Sequence, residues 1–131
     1  MLIYKVQLYP SKQQQAKLGE QLEICRKLYN RLLEECNKSQ EKGEKLTQIK
    51  TQLFIVWLKN NSMPELKEVY SKVLQMVNHT LWSNIKSLSR LKKNGHKIGH
   101  LRFKGKGWYK TINYNQSGFK IDEIKNKISF S

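Results

Sequence analysis

At 131 residues the chain has room for one modest core and not for two large ones. Its 25 basic residues against 10 acidic ones leave a net charge of +15, far beyond what solubility needs, which implies a polyanionic partner. The longest unbroken apolar run, Leu53 to Leu58, is much too short to span a bilayer, and Lys5 and Gln7 interrupt the stretch that a signal peptide keeps apolar. Cys25 and Cys36 fall on one predicted helix, roughly 16 Å apart at the helical rise, too far to pair. No CxxC and no Cys/His ligand spacing occurs, so no metal and no cofactor is expected. A soluble, cytoplasmic protein with free cysteines and no membrane partner is the expectation.

In chain order, Met1 to Tyr9 alternates with period two and reads as a strand ended by Pro10. Ser11 then caps a helix, with Gln14 as the capping-box partner three residues on. Leu18, Leu22, Cys25, Leu28 or Tyr29, Leu32 and Cys36 recur at steps of three and four, so that helix runs from about Lys12 to about Glu41 and stops at Gly43. Thr47 caps a second helix, closed by Asn60 and Asn61, whose apolar side is read as Ile49, Leu53, Val56 and Trp57. Ser62-Met-Pro-Glu starts a short turn through Val69, and Ser71 is taken as a fresh N-cap. The third long helix follows, with Leu74, Val77, Leu81, Ile85, Leu88 and Leu91 at helical spacing and Gly95 at its end. Trp108 to Asn115, Phe119 to Ile121 and Lys127 to Phe130 read as strands, with turns at Ser117-Gly118 and Glu123 to Asn126. The terminal KISFS stops inside a strand pattern, and the chain is expected to be cut short.

The charge is unevenly placed. Eight of the ten acids precede Val69, and between Glu68 and Asp122 there are eleven basic residues and no acid. Within that region, Gly99 to Gln116 interleaves Arg102, Lys104, Lys106 and Lys110 with Phe103, Trp108, Tyr109 and Tyr114. Cations attract phosphate, flat rings offer stacking faces, and glycines allow close backbone approach, which together read as a nucleic-acid contact. Trp108 and Tyr109 are the candidate stacking platforms, although a core place is as natural for Trp108. Trp57 and Trp82 lie on apolar helix faces and read as core. His79, His96 and His100 have no orienting carboxylate in sequence reach, and no catalytic residue is assigned.

Five stretches, in order, resemble the N-terminal third of the TnpB (OrfB) proteins carried by insertion sequences. Tyr4 to Pro10 resembles the opening strand of that family, and Cys25-Arg26-Lys27-Leu28-Tyr29-Asn30 its first helix. Leu66 to Val69 with Val73-Leu74-Gln75 follows, then Leu101-Arg102-Phe103-Lys104, with Leu where the family has Pro, and last Thr111 to Tyr114 with Gly118 to Ile121. The resemblance implies an α+β fold, mainly α, in which a helical bundle is inserted after the first strand of a small, incomplete antiparallel β-barrel. Its parts would be a first wedge-like strand (1–10), a helical recognition lobe (11–95) and the remaining wedge-like strands (96–131).

Full-length relatives resemble RNA-guided DNA endonucleases, so the resemblance implies binding of guide-type structured RNA and of DNA flanking the target. Residues aligned with the family's motif-reading positions are Gln48, Gln52, Gln75 and Asn113; side-chain amides read base edges, while solvent exposure is the bland alternative for helix-surface glutamines. Backbone phosphates would meet Arg26, Arg31, Arg90, Lys92, Lys93, Lys97, Arg102, Lys104, Lys106 and Lys110. Tyr29 and Asn30 suit phosphate contact, core or cap roles equally. The family's RuvC-like nuclease and zinc ribbon are not in this sequence. Asp122 is its single aspartate, and two-metal cleavage needs several converging carboxylates, so cleavage by this chain alone is not expected. The alternatives are a nuclease fragment active only with a RuvC-bearing piece, a domesticated DNA-binding regulator, and a basic scaffold for an acidic protein.

Overall fold

The structure, a computed structural model, describes residues 7–97, 99 and 101–105 and the strands at 119–122 and 127–130. Three helices make up most of it: α1 (Lys12–Glu41), α2 (Gln48–Asn61) and α3 (Ser71–Lys93), with a 3-10 turn, Pro64–Glu68, between the last two. Two short strands, β1 (Phe119–Asp122) and β2 (Lys127–Phe130), pair as an antiparallel hairpin in which Phe119 faces Phe130 and Asp122 faces Lys127.

The helix ends follow from local chemistry. Gln14 N–H donates to Ser11 Oγ at 3.2 Å, and Ser11 N–H donates to Gln14 Oε1 at 2.8 Å, so two orphan donors satisfy each other at the start of α1. Thr47 Oγ1 likewise accepts from Lys50 N–H at 3.2 Å. Both α1 and α3 finish on a glycine with positive φ, Gly43 at 76° and Gly95 at 82°. In each case the residue after the glycine donates back across the last turn, Glu44 to Ser39 O at 2.8 Å and His96 to Leu91 O at 3.1 Å. That pairing needs a left-handed residue, which glycine supplies at little cost. At the start of α3, Tyr70 rather than Ser71 occupies the cap position and gives no side-chain cap.

α3 is the central element, packing on α1 and on α2, while the 3-10 turn touches both α1 and α2. Leu28, Leu32, Leu58, Leu66 and Leu81 are fully buried, joined by Ile24, Cys25, Tyr29, Leu33, Ile55, Val69, Val73, Leu74 and Val77. Each fully buried aliphatic side chain contributes roughly 1.5–3 kcal/mol relative to exposure. The first turns of α1, before Gln21, stand largely in solvent.

Three expectations are corrected here. First, among the described residues the fold is helical and shows no β-barrel, with β-structure confined to the β1–β2 hairpin. Residues 7–10 carry no strand, with Leu8 and Tyr9 exposed, and the rest of the expected opening strand lies outside the described residues. Within 101–105, Lys104 N–H and C=O are both bonded to side chains of α1 and so are not free for a neighbouring strand. Second, α2 faces the opposite way. Thr51, Ile55 and Leu58 are buried, whereas Ile49, Leu53, Val56 and Trp57 are between 49% and 74% exposed. Third, Trp57 is therefore not core; it stacks on Phe54 with ring centroids 5.6 Å apart.

Candidate nucleic-acid interface

Two polar constructions position the candidate residues. In the first, α1 clasps the segment 101–105. Asn30 Nδ2 donates to Lys104 O at 2.8 Å, and Lys104 N–H donates to Asn30 Oδ1 at 2.7 Å, so one side-chain amide pairs with the backbone as a neighbouring peptide would. Arg26 Nη1 donates to the same carbonyl at 2.9 Å. Arg26 Nε meanwhile donates to both carboxylate oxygens of Glu23 at 3.0 and 3.1 Å. Its hydrogen bonding to Glu23 pushes the guanidinium pKa up, with desolvation opposing and the Glu23 charge adding. Beneath the clasp, Lys104 Nζ lies 5.5 Å from the Tyr29 ring centroid, and Asn84 Nδ2 donates to the Tyr29 hydroxyl at 2.9 Å. The result is that Arg102 and Phe103 stay exposed on a segment whose next residue is pinned.

In the second, a relay crosses from α3 to α2. Trp82 Nε1 donates to Thr51 Oγ1 at 2.9 Å, and Thr51 Oγ1 lies 2.7 Å from Asn78 Oδ1. Asn78 Nδ2 donates to Gln48 O at 3.1 Å and to Gln52 Oε1 at 3.2 Å. Thr51 and Asn78 are each 1% exposed, so this network sits inside the α2–α3 contact, where an unmatched polar group would be costly.

The candidate cations separate into two groups. Arg26 and Arg31 are engaged internally: Arg31 Nη1 bonds Glu35 at 3.2 Å, lies 3.8 Å from Glu34, and its guanidinium sits 5.1 Å from the Phe54 ring centroid. Glu34 is held below the usual carboxylate range, chiefly by its hydrogen bond from Lys38 and that ammonium's charge, with Arg31 adding a smaller part. Arg90, Lys92, Lys93, Lys97 and Arg102 are exposed, and none forms an ion pair among the described residues. Gln75 is exposed on α3, one turn before Asn78, while Gln48 and Gln52 are half-buried one turn apart on α2. Lys106, Trp108, Tyr109, Lys110 and Asn113 lie outside the described residues.

Sequence reading missed Asn78 and Thr51, which break the apolar rhythm of their helices and gave no sign of contact with each other. It had singled out Arg26, Tyr29 and Asn30, and separately Arg102 to Lys104, without joining them. Among the described residues no group of three His, Cys, Asp or Glu is placed to hold a metal ion, and no helix is long and apolar enough to cross a membrane.

Exposed cations thus mark the end of α3 and the segment after it, next in sequence to the clasped residues 101–105. Residues 1–45 match a family model described as a helix-turn-helix domain, that of the OrfB proteins of IS605-type elements. That likeness covers the first 45 of the 131 residues. The matched span holds the whole of α1 and its C-cap, and α2 begins three residues beyond it, at Gln48. No curated protein and no solved structure matches the chain.

Proposed function

We propose that this chain is the nucleic-acid-binding module of a transposon-associated OrfB-type protein, holding DNA beside a target and the structured RNA that guides it. One observation carries the reading. Five exposed cations, Arg90, Lys92, Lys93, Lys97 and Arg102, lie on the last turns of α3 and the segment after it, without acidic partners among the described residues. Cations left unneutralised by the protein are the electrostatic footprint of a polyphosphate partner. The helix-turn-helix match over residues 1–45 supports DNA as one such partner. Binding and not cutting is the role proposed, because Asp122 is the single aspartate of this sequence and two-metal cleavage needs several converging carboxylates.

The division of the cations gives the test. Replacing Arg90, Lys92 and Lys93 together by Ala should weaken binding to a labelled duplex and to an RNA hairpin. It should also flatten the dependence on salt by about 0.7–0.9 per lost phosphate contact. Arg26→Ala should leave the salt slope as it is, since that charge is spent on Glu23 and Lys104. Equal slopes for the triple variant and the unaltered chain would refute the reading.

A further inference from the structure

We infer that the outer face of α2 is a docking seam for one amphipathic helix of a partner protein, a helix with acidic residues flanking its own apolar stripe. The inference stands apart from the nucleic-acid reading: it concerns α2, whereas the exposed cations of that reading lie on α3 and the segment after it.

The pattern on that face is that of helix pairing. Ile49, Leu53, Val56 and Asn60 follow one another at steps of four, three and four, and all of them are exposed. That is the spacing at which one helix lays its stripe along another, here over about two heptads. The first three are apolar, and a single polar residue in a seam is how paired helices fix their register. Trp57 borders the seam and is braced rather than buried. Its ring stacks on Phe54 at 5.6 Å, and the Arg31 guanidinium lies 5.1 Å from the Phe54 centroid. An exposed tryptophan already held in place loses little freedom on binding, and residues of this type dominate interface energies. A contiguous apolar patch on so charged a chain marks an interaction surface.

Charge chooses the occupant. At roughly 100° per residue, Lys50 falls on one side of the seam and Lys59 on the other. No acidic residue occurs in α2. A facing helix meets those lysines with the residues beside its own stripe, and carboxylates there complete the pairs. A second copy of this chain would instead bring two more lysines and no carboxylate from α2, with a net charge of +15 on each molecule. Asn60 within the seam also suits a helix, which has a register to fix, better than a lipid surface, which has none.

The probe is a labelled synthetic peptide with Leu at both seam positions and Glu at both flanking positions of every heptad, whose own flanks repel and so oppose its self-pairing. Fluorescence anisotropy reads its binding to the full chain at physiological salt, where charges beyond about 8 Å are screened. It should bind about ten-fold or more tightly than an isomer of the same composition with the seam scrambled, and than the same peptide with Lys for Glu. Leu53→Gln leaves the charge of the chain unaltered and falls at an exposed position that does not threaten the fold. It should remove most of the advantage over the scrambled isomer, and Val56→Gln, a turn further on, should do the same. Equal binding of the seam and scrambled peptides would show charge acting alone and would overturn the inference. Equal binding of the Glu and Lys peptides, equal binding by the unaltered chain and both variants, or no binding at all would overturn it too. Sedimentation of the chain alone should show a monomer at every concentration; a dimer that Leu53→Gln dissolves would make a second copy the occupant. Retention on anionic phospholipid vesicles, lost in Leu53→Gln, would give the face to a lipid surface. Either of those results also overturns the inference.

Discussion

Asn30 shows how one side chain can stand in for a strand. Its amide exchanges two hydrogen bonds with Lys104, and Arg26 adds a third to the same carbonyl. Asn30→Ala leaves a half-buried backbone N–H without its partner, and a cost of about 1–3 kcal/mol is expected from the lost pair. Urea unfolding should report that loss, and hydrogen exchange should show the Lys104 amide losing its protection; unchanged protection would mean that the clasp does not hold the segment. The cysteines respond to burial in a different way. Desolvation pushes Cys25 from an ordinary 9.0 up to about 12. Cys36 rises to about 11 by burial, with Glu35 adding. A raised thiol pKa favours the protonated form in the fold. The stability that depends on it is intact below about 9 and declines as pH climbs toward the folded values. Thiol reagents at pH 8 should label the folded chain far more slowly than the urea-denatured chain, where both free cysteines react. Labelling of Cys25 at the denatured rate would contradict its place in the core.

α1 and α2 differ in how plainly their sequences state their packing. In α1 a capping box and a terminal glycine bound the helix, so helix and ends were legible, and Cys25, Leu28, Tyr29 and Leu32 of the expected stripe are buried while Leu18, Leu22 and Cys36 are half-buried. In α2 the run Leu53 to Leu58 is apolar all round, and periodicity alone does not choose between its faces. The choice is made by partners from another helix, since Thr51 must meet Asn78 and Trp82 inside the contact. The stripe of Ile49, Leu53, Val56 and Trp57 is left outward as a consequence. Two truncations compare the faces directly. Ile55→Ala, at 1% exposure, should cost about 2–5 kcal/mol in chemical denaturation, as large-to-small core changes do. Leu53→Ala, at 66% exposure, should stay within about 0.5 kcal/mol of the unaltered chain. The reverse order would restore the face that the sequence pattern suggested.

For the molecule as a whole, the charge distribution was the most legible property and the β-architecture the least. Eleven basic residues without an acid between Glu68 and Asp122 can be counted in the sequence, and the exposed ones keep their freedom in the fold. A strand pattern, in contrast, states only that a segment is able to pair. Whether it does depends on where its backbone groups find partners: residues 7–10 of the expected opening strand carry no strand, while Phe119–Asp122 and Lys127–Phe130 pair with each other. Likewise, Gln52 was visible as a residue type, but its hydrogen bond from Asn78, on a different helix, was not. The central claim is that the exposed cations from Arg90 to Arg102 bind nucleic-acid backbone, and equilibrium binding to a labelled duplex across a salt series tests it most directly. The account predicts that log K falls linearly with log salt, by about 0.9 per phosphate neutralised, reaching a slope of about −4.5 if all five cations engage. A slope near zero would contradict it.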